Sequence, residues 1–189
     1  MIIGPIASAF GAGSEAGALL MHLGLKTLRD FLLAHAQTPH LVLVVVVATE
    51  GSTYRKPGAL MLIGPEGDYA GLVSGGCLEG DLTERARSVM TTGTPMRVHY
   101  DLQDDDLLFG LGLGCGGAVH LQLVRLEAAQ HFEPLGSLFD ALQRGDHCQL
   151  ALVCESSDPF VPEGSMALAS SGGARVGAPQ ILECLDGDK

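Results

Sequence analysis

Two cysteines of this chain stand where a sulfur could act on a ligand. Cys77 lies in GLVSGGCLEGDLTERA, residues 71–86, directly behind Gly75 and Gly76 and directly ahead of an amphipathic run. Successive glycines let the main chain turn several N–H groups toward one point, and a helix start adds the positive end of a dipole. Ser74-Gly75-Gly76-Cys77 therefore reads as an anion cradle beside a thiol. The same field favours the thiolate. The plain alternative is a tight turn that ends in a small buried hydrophobe. Cys115 lies in GLGLGCGGAV, residues 110–119, among five glycines. Gly114, Gly116 and Gly117 around it imply that something approaches the main chain closely, or that the chain bends sharply as it enters a strand. Arg55 and Lys56 are adjacent cations in the loop EGSTYRKPG. They suit a phosphate or carboxylate, with simple solvation as the alternative. Asp101 and Asp104-Asp105-Asp106 could hold a cation or repel a wrong ligand, although such runs are usually solvated loops. Neither cysteine has the paired His or Cys spacing of a structural zinc site, and no G-x-S-x-G or Walker motif is present.

The elements that must position these residues are legible from periodicity. Leucines and Phe31 recur at helical spacing over residues 16–36, and Pro39 ends that run. LVLVVVVA, residues 41–48, is β-branched, continuous and short, which predicts a strand buried on both faces. ALMLIG and YAGLVS follow as strands around the turn PEGD. A helix from Leu78 to Met90 would put Leu78, Leu82, Ala86 and Val89 on one face, with Glu79 and Asp81 in its first turn where the dipole favours acids. RVHYD and AVHLQLVRL are strands flanking the acidic loop and the second glycine-rich segment. The remainder looks like a faded copy of the beginning: SLFDALQRG resembles TLRDFLLAH. The segment from Gln149 can be laid on the segment from Val44 without a gap, matching Glu50 with Glu155, Ser52 with Ser157, Pro57 with Pro162 and Met61 with Met166. On that alignment Arg55 and Lys56 face Phe160 and Val161, so only the first copy keeps the charge. The expected class is α/β, a mixed β-sheet with flanking helices built from two diverged copies of a helix-strand-loop-strand unit. Residues 1–15 are expected to be a loose segment, and 16–189 one domain.

The 189 residues carry a formal net charge of −11, which argues against broad contact with nucleic-acid phosphates, so any anion site must be local. Five cysteines without a C-x-x-C pair, and no leader with a basic start, predict reduced thiols and a cytoplasmic location. No apolar run reaches the length of a membrane-spanning helix.

EGSTYRKPGALMLI, GLVSGGCLEGDL and DLQDDDLLFGLGLGCGGAVHL, taken in that order across residues 41–124, resemble the N-terminal part of the XdhC/CoxI family of accessory proteins for molybdenum hydroxylases. The resemblance implies a protein that binds molybdenum cofactor (molybdopterin) as cargo, protects it during maturation and hands it to an apo-enzyme such as xanthine dehydrogenase or a carbon monoxide dehydrogenase. It implies a carrier more than a catalyst. It also implies a homodimer, an apo molybdenum hydroxylase as partner and a cysteine desulfurase as a further one. Tyr54 stands where many relatives have proline. The family's C-terminal Rossmann-like domain is not among these residues. On this reading Arg55, Lys56 and the N–H groups of Ser74, Gly75, Gly76 and Cys77 suit the cofactor phosphate. Cys77 and Cys115, with Gly114, Gly116 and Gly117, suit its sulfur-bearing end. The alternative is a thiol-dependent oxidoreductase or sulfur-transfer protein with Cys77 as nucleophile.

Overall fold

The protein is described as a computed structural model, over residues 2–5, 15–101 and 117–186. In chain order its principal elements are β1 (Ile2–Pro5), α1 (Glu15–Ala34), β2 (His40–Gly51), β3 (Leu60–Ile63), β4 (Tyr69–Gly71), α2 (Glu79–Thr92), β5 (Met96–Asp101), β6 (Gly117–Glu127), α3 (Leu135–Gln143), β7 (Cys148–Glu155), β8 (Met166–Ser170), β9 (Arg175–Gly177) and α4 (Pro179–Asp186). The class is α/β, as expected, with the strands divided between two sheets. One has the order β4-β3-β2-β6-β5 and the other β1-β7-β8-β9. The hairpin pairings β2–β3, β3–β4, β5–β6, β7–β8 and β8–β9 are antiparallel. The chain divides into two compact units where the sequence suggested one domain: Val42–Arg125 is continuous, and Met1–Leu41 joins Leu126–Lys189. Among the described residues no helix is long and apolar enough to cross a membrane.

In the Val42–Arg125 unit, β2 is the central strand of five, and its run from Val42 to Val46 is buried on both faces, as an unbroken β-branched sequence requires. One face of that sheet presents Val42, Val44, Val46, Met61, Ile63, Val98, Val119, Leu121 and Leu123. Leu82, Ala86 and Val89 of α2 pack with them in one core. The helical spacing read from the sequence therefore sets which side of α2 meets the sheet. The strand expected over YAGLVS is shorter than its apolar content suggests. Gly71 has φ +82°, outside the range of a strand, so β4 stops there and residues 72–78 become the turn that enters α2.

The other unit holds the second copy. After α3, β7, β8 and β9 form the same pair of hairpins as β2, β3 and β4, and α4 follows as α2 does. The copies agree in main-chain detail. Val46 N–H donates to Ala59 O (2.9 Å) and Gly58 N–H to Val46 O (2.8 Å), while Val153 N–H donates to Ser165 O (2.9 Å) and Gly164 N–H to Val153 O (2.8 Å). Gly58, Gly67 and Gly71, all at positive φ, recur 106 positions later as Gly164, Gly173 and Gly177, also at positive φ. The cores correspond too, with Val44, Val46 and Met61 on the α2 side and Ala151, Val153 and Ala167 on the α4 side. The gapless alignment, which pairs Met61 with Met166, is one residue out in the hairpin and two in the long strand. The equivalences are Met61 with Ala167, Lys56 with Pro162 and Val46 with Val153. Identical letters misled it, because conformation follows strand register and the positive-φ glycines.

Residues 2–5, expected to be loose, pair antiparallel with β7, from Ile2 opposite Glu155 to Pro5 opposite Ala151. β1 is an edge strand, the place in a sheet where a proline such as Pro5 is tolerated. Asp104, Asp105, Asp106, Gly114, Cys115 and Gly116 lie outside the described residues.

Candidate functional site

Three segments singled out in the sequence meet within the Val42–Arg125 unit. The first is the loop that leaves β2. Its Tyr54 ring lies against Gly75, where a Cβ would stand 3.8 Å from the ring, and the Arg55 guanidinium sits 5.4 Å from the centre of the same ring. The loop carrying the two cations therefore touches the second segment, the Gly-Gly-Cys turn, directly through Tyr54. The third segment is the start of β6. A Cβ on Gly117 would lie 2.3 Å from Glu50 O and 2.6 Å from Ser52 O, closer than any real side chain comes. Close approach, the first of the two readings of these glycines, is thus what Gly117 serves.

Arg55 and Lys56 are exposed and have no carboxylate partner among the described residues, whereas Arg85 pairs with Asp81 and Arg87 with Glu84. Two neighbouring cations without a counter-charge among the described residues, in a strongly acidic chain, are disposed to receive an anion. Cys77 is half-buried. It packs against the edge of the α2 core and is a free thiol. Its position combines features of both readings, since one side contacts apolar residues and it adjoins the exposed Gly75 and Gly76.

The turn itself is built on a residue that stands out in the sequence only as an acid in the first turn of a helix. Glu79 is 1% exposed. Its Oε1 accepts from Val73 N–H (3.2 Å) and Ser74 N–H (3.0 Å), and its Oε2 accepts from the Ser74 hydroxyl. Ser74 Oγ in turn accepts from Gly76 N–H (3.1 Å) and Leu78 N–H (3.2 Å). The donors of this stretch are therefore divided. Those of Val73, Ser74, Gly76 and Leu78 are engaged within the turn, while those of Gly75 and Cys77 have no acceptor among the described residues. Ser74, buried at 4% exposure, serves the turn's interior. Ser74 and Glu79 bracket the Gly-Gly-Cys triplet at a spacing wider than the usual capping box, so no familiar capping signal marks them in the sequence.

A second polar cluster ties α2 to β5. Tyr100, on β5, donates its hydroxyl to Asp81, and Arg85 donates to the same carboxylate (2.6 Å) while its guanidinium sits 6.0 Å from the Tyr100 ring centre. Burial first, and then the hydrogen bond to Asp81, raise the Tyr100 hydroxyl well above the ordinary phenol range. Asp81 is held below the usual carboxylate value: burial alone would raise it, but the bonds from Tyr100 and Arg85 outweigh that. On the neighbouring strands the His99 and His120 rings stack at 4.5 Å, and His120 Nε2 lies 3.1 Å from Glu50 Oε1. Among the described residues no cluster of His, Cys, Asp and Glu is arranged to hold a metal ion.

Residues 34–101 match the XdhC and CoxI family. The chain is 38% identical over 119 residues to a Bacillus subtilis protein named as a probable xanthine dehydrogenase component, covering 61% of this chain and 35% of that protein. It is 34% identical over 103 residues to the molybdenum cofactor insertion chaperone PaoD of Escherichia coli, covering 54% and 31%. Among solved structures it is similar to a xanthine dehydrogenase from Bacillus halodurans, with a TM-score of 0.61 and 33% identity, over 78% of this chain and 44% of that one. The chain spans about a third of the length of the curated relatives it matches.

Proposed function

Because residues 34–101 carry the pattern of the XdhC and CoxI family, we propose that this chain takes part in delivering molybdenum cofactor to a molybdenum hydroxylase, holding the cofactor as cargo while it is protected and matured. The observation that carries the proposal is the meeting of three segments in one unit. A loop with two cations that have no carboxylate partner among the described residues, a turn with a half-buried thiol and two N–H groups without an acceptor among the same residues, and the glycine entry to β6 lie together.

The roles follow from chemistry. Arg55 and Lys56 receive the phosphate. Cys77, with the N–H groups of Gly75 and Cys77, meets the soft sulfur-bearing end, and Ser74 and Gly76 shape the turn. Gly114, Cys115 and Gly116 enter the proposal through their chain connection to Gly117 alone. The partner is an apo-hydroxylase of the xanthine or carbon monoxide dehydrogenase kind, with a cysteine desulfurase as the sulfur source. The working form is a homodimer in a reducing cytoplasm. The PaoD relative, whose name describes a cofactor insertion chaperone, supports the carrier reading over a catalytic one.

The test is co-purification from a host that makes molybdenum cofactor, followed by detection of the oxidised pterin and of molybdenum. Stoichiometric pterin and molybdenum without turnover support the carrier. Absence of both, in protein shown to be folded, sinks the proposal. Turnover of a persulfide or disulfide at Cys77 would move the assignment to thiol chemistry.

A further inference from the structure

The division of donors in the turn points to a residue with a specific task. Ser74 has one hydroxyl proton and two lone pairs, and all three are used: it donates to Glu79 and accepts from Gly76 and Leu78. Both oxygens of Glu79 act as acceptors, one toward two main-chain N–H groups and the other toward the serine. This arrangement needs an ionised carboxylate. A glutamine has one acceptor oxygen, and its amide donors would face either the N–H groups of Val73 and Ser74 or the serine hydroxyl. In the second case Ser74 would accept from the amide and lose a lone pair for Gly76 or Leu78. No orientation of a glutamine reproduces the pattern.

We propose that Glu79 is the positioning residue of the cofactor-contacting turn. With Ser74 it fixes four of the turn's N–H groups internally, leaving those of Gly75 and Cys77, together with the Cys77 thiol, as the set presented to the ligand. The ligand-facing half of this statement rests on the cofactor reading above. The internal half rests on the hydrogen bonds alone. The arrangement also divides labour in the site. The buried negative charge of Glu79 lies beneath the turn, at the N-terminus of α2, and opposes the dipole that would otherwise attract an anion there. The phosphate is thereby left to Arg55 and Lys56, and the turn becomes a presenter of a thiol.

The test compares the unaltered protein with Glu79→Gln and Ser74→Ala by amide hydrogen exchange and by titration with purified molybdopterin. In Glu79→Gln, exchange at Val73, Ser74, Gly76 and Leu78 should quicken about tenfold or more, with Val44 and Leu62 in the sheet unchanged, and molybdopterin affinity should fall about tenfold. Ser74→Ala should quicken Gly76 and Leu78, and it serves as the decisive variant if Glu79→Gln does not fold. Joining both changes should cost little beyond either alone, since they break one network. Unchanged exchange at these amides overturns the positioning role. Quickened exchange with unchanged affinity overturns the link from turn to ligand. If the unaltered protein binds no molybdopterin, the cofactor reading fails, and the amide pattern still decides what Glu79 does.

Discussion

Cys77 is held on one side by apolar neighbours and adjoins two exposed glycines, so its replacement separates packing from ligand contact. In Cys77→Ala, unfolding by urea should shift by less than about 1 kcal/mol, while molybdopterin retained per folded molecule should drop. A larger loss of stability with normal retention would return the thiol to the core. In the proposed function Arg55 and Lys56 act by charge. Changing both to alanine should weaken molybdopterin binding at least about tenfold, because a charge-assisted bond to phosphate contributes roughly 1.5 to 3 kcal/mol. Added salt should weaken the unaltered protein's binding more than the variant's. Equal affinities and equal salt responses would mark the pair as ordinary surface charge. At this scale the sequence singles out the cations, the thiol and the glycines as candidates by type and spacing, and the described ones meet in one unit. Glu79 could not be picked out, because a buried acceptor for N–H groups a turn away resembles, in sequence, any acid in a first helical turn. Nor could Tyr54, whose contact with Gly75 depends on two loops meeting.

The elements followed their hydrophobic periods, and they departed from them where a glycine intervened. β4 ends at Gly71 although Leu72 and Val73 would continue the apolar run, and the second copy's alignment slips because identical residues are not at equivalent places. Gly117 gives the sharpest test at this scale. Gly117→Ala puts a methyl against Glu50 O and Ser52 O, both main-chain atoms, so the β6 entry or the cation loop must move. We expect a loss of about 1 to 3 kcal/mol in chemical denaturation, and weaker molybdopterin binding as the cation loop shifts. A variant as stable as the original would show that the loop yields freely. The Tyr100–Asp81–Arg85 link supplies a pH test with a definite sign. The folded-state Tyr100 hydroxyl is raised, so the unfolded chain releases its proton first. The stability from this group is whole below about pH 10 and declines as pH rises beyond it. Urea titrations between about pH 8 and about pH 11 should show a decline that is smaller in Tyr100→Phe. Identical slopes in the two proteins would remove Tyr100 from the account.

Over the whole molecule, the sequence conveyed the α/β class and the doubled hairpin unit, and it missed the division into two units. Periodicity reports which face of an element is buried, and it does not report against which partner. One unit is continuous from Val42 to Arg125, and the other is assembled from the segments on either side of it. That partition has a consequence in time. Inside Val42–Arg125 the β2–β3 and β3–β4 hairpins are local, and even its distant pairing of β2 with β6 spans less chain than that of Ile3 with Val153, which meet only after everything between has been made and brought back. Closing so long a loop is slower than forming hairpins. The inserted unit, with the cations, Cys77 and Glu79, should therefore reach its ordered state first, both on the ribosome and in refolding. Pulsed hydrogen exchange would show it: amides of Leu43 and Leu62 should gain protection before those of Ile3 and Gly4. Simultaneous protection would mean that the two units fold as one. If the order holds, the Gly-Gly-Cys turn exists before the flanking unit closes, and under the proposed function a nascent chain could engage a cofactor ahead of its own completion.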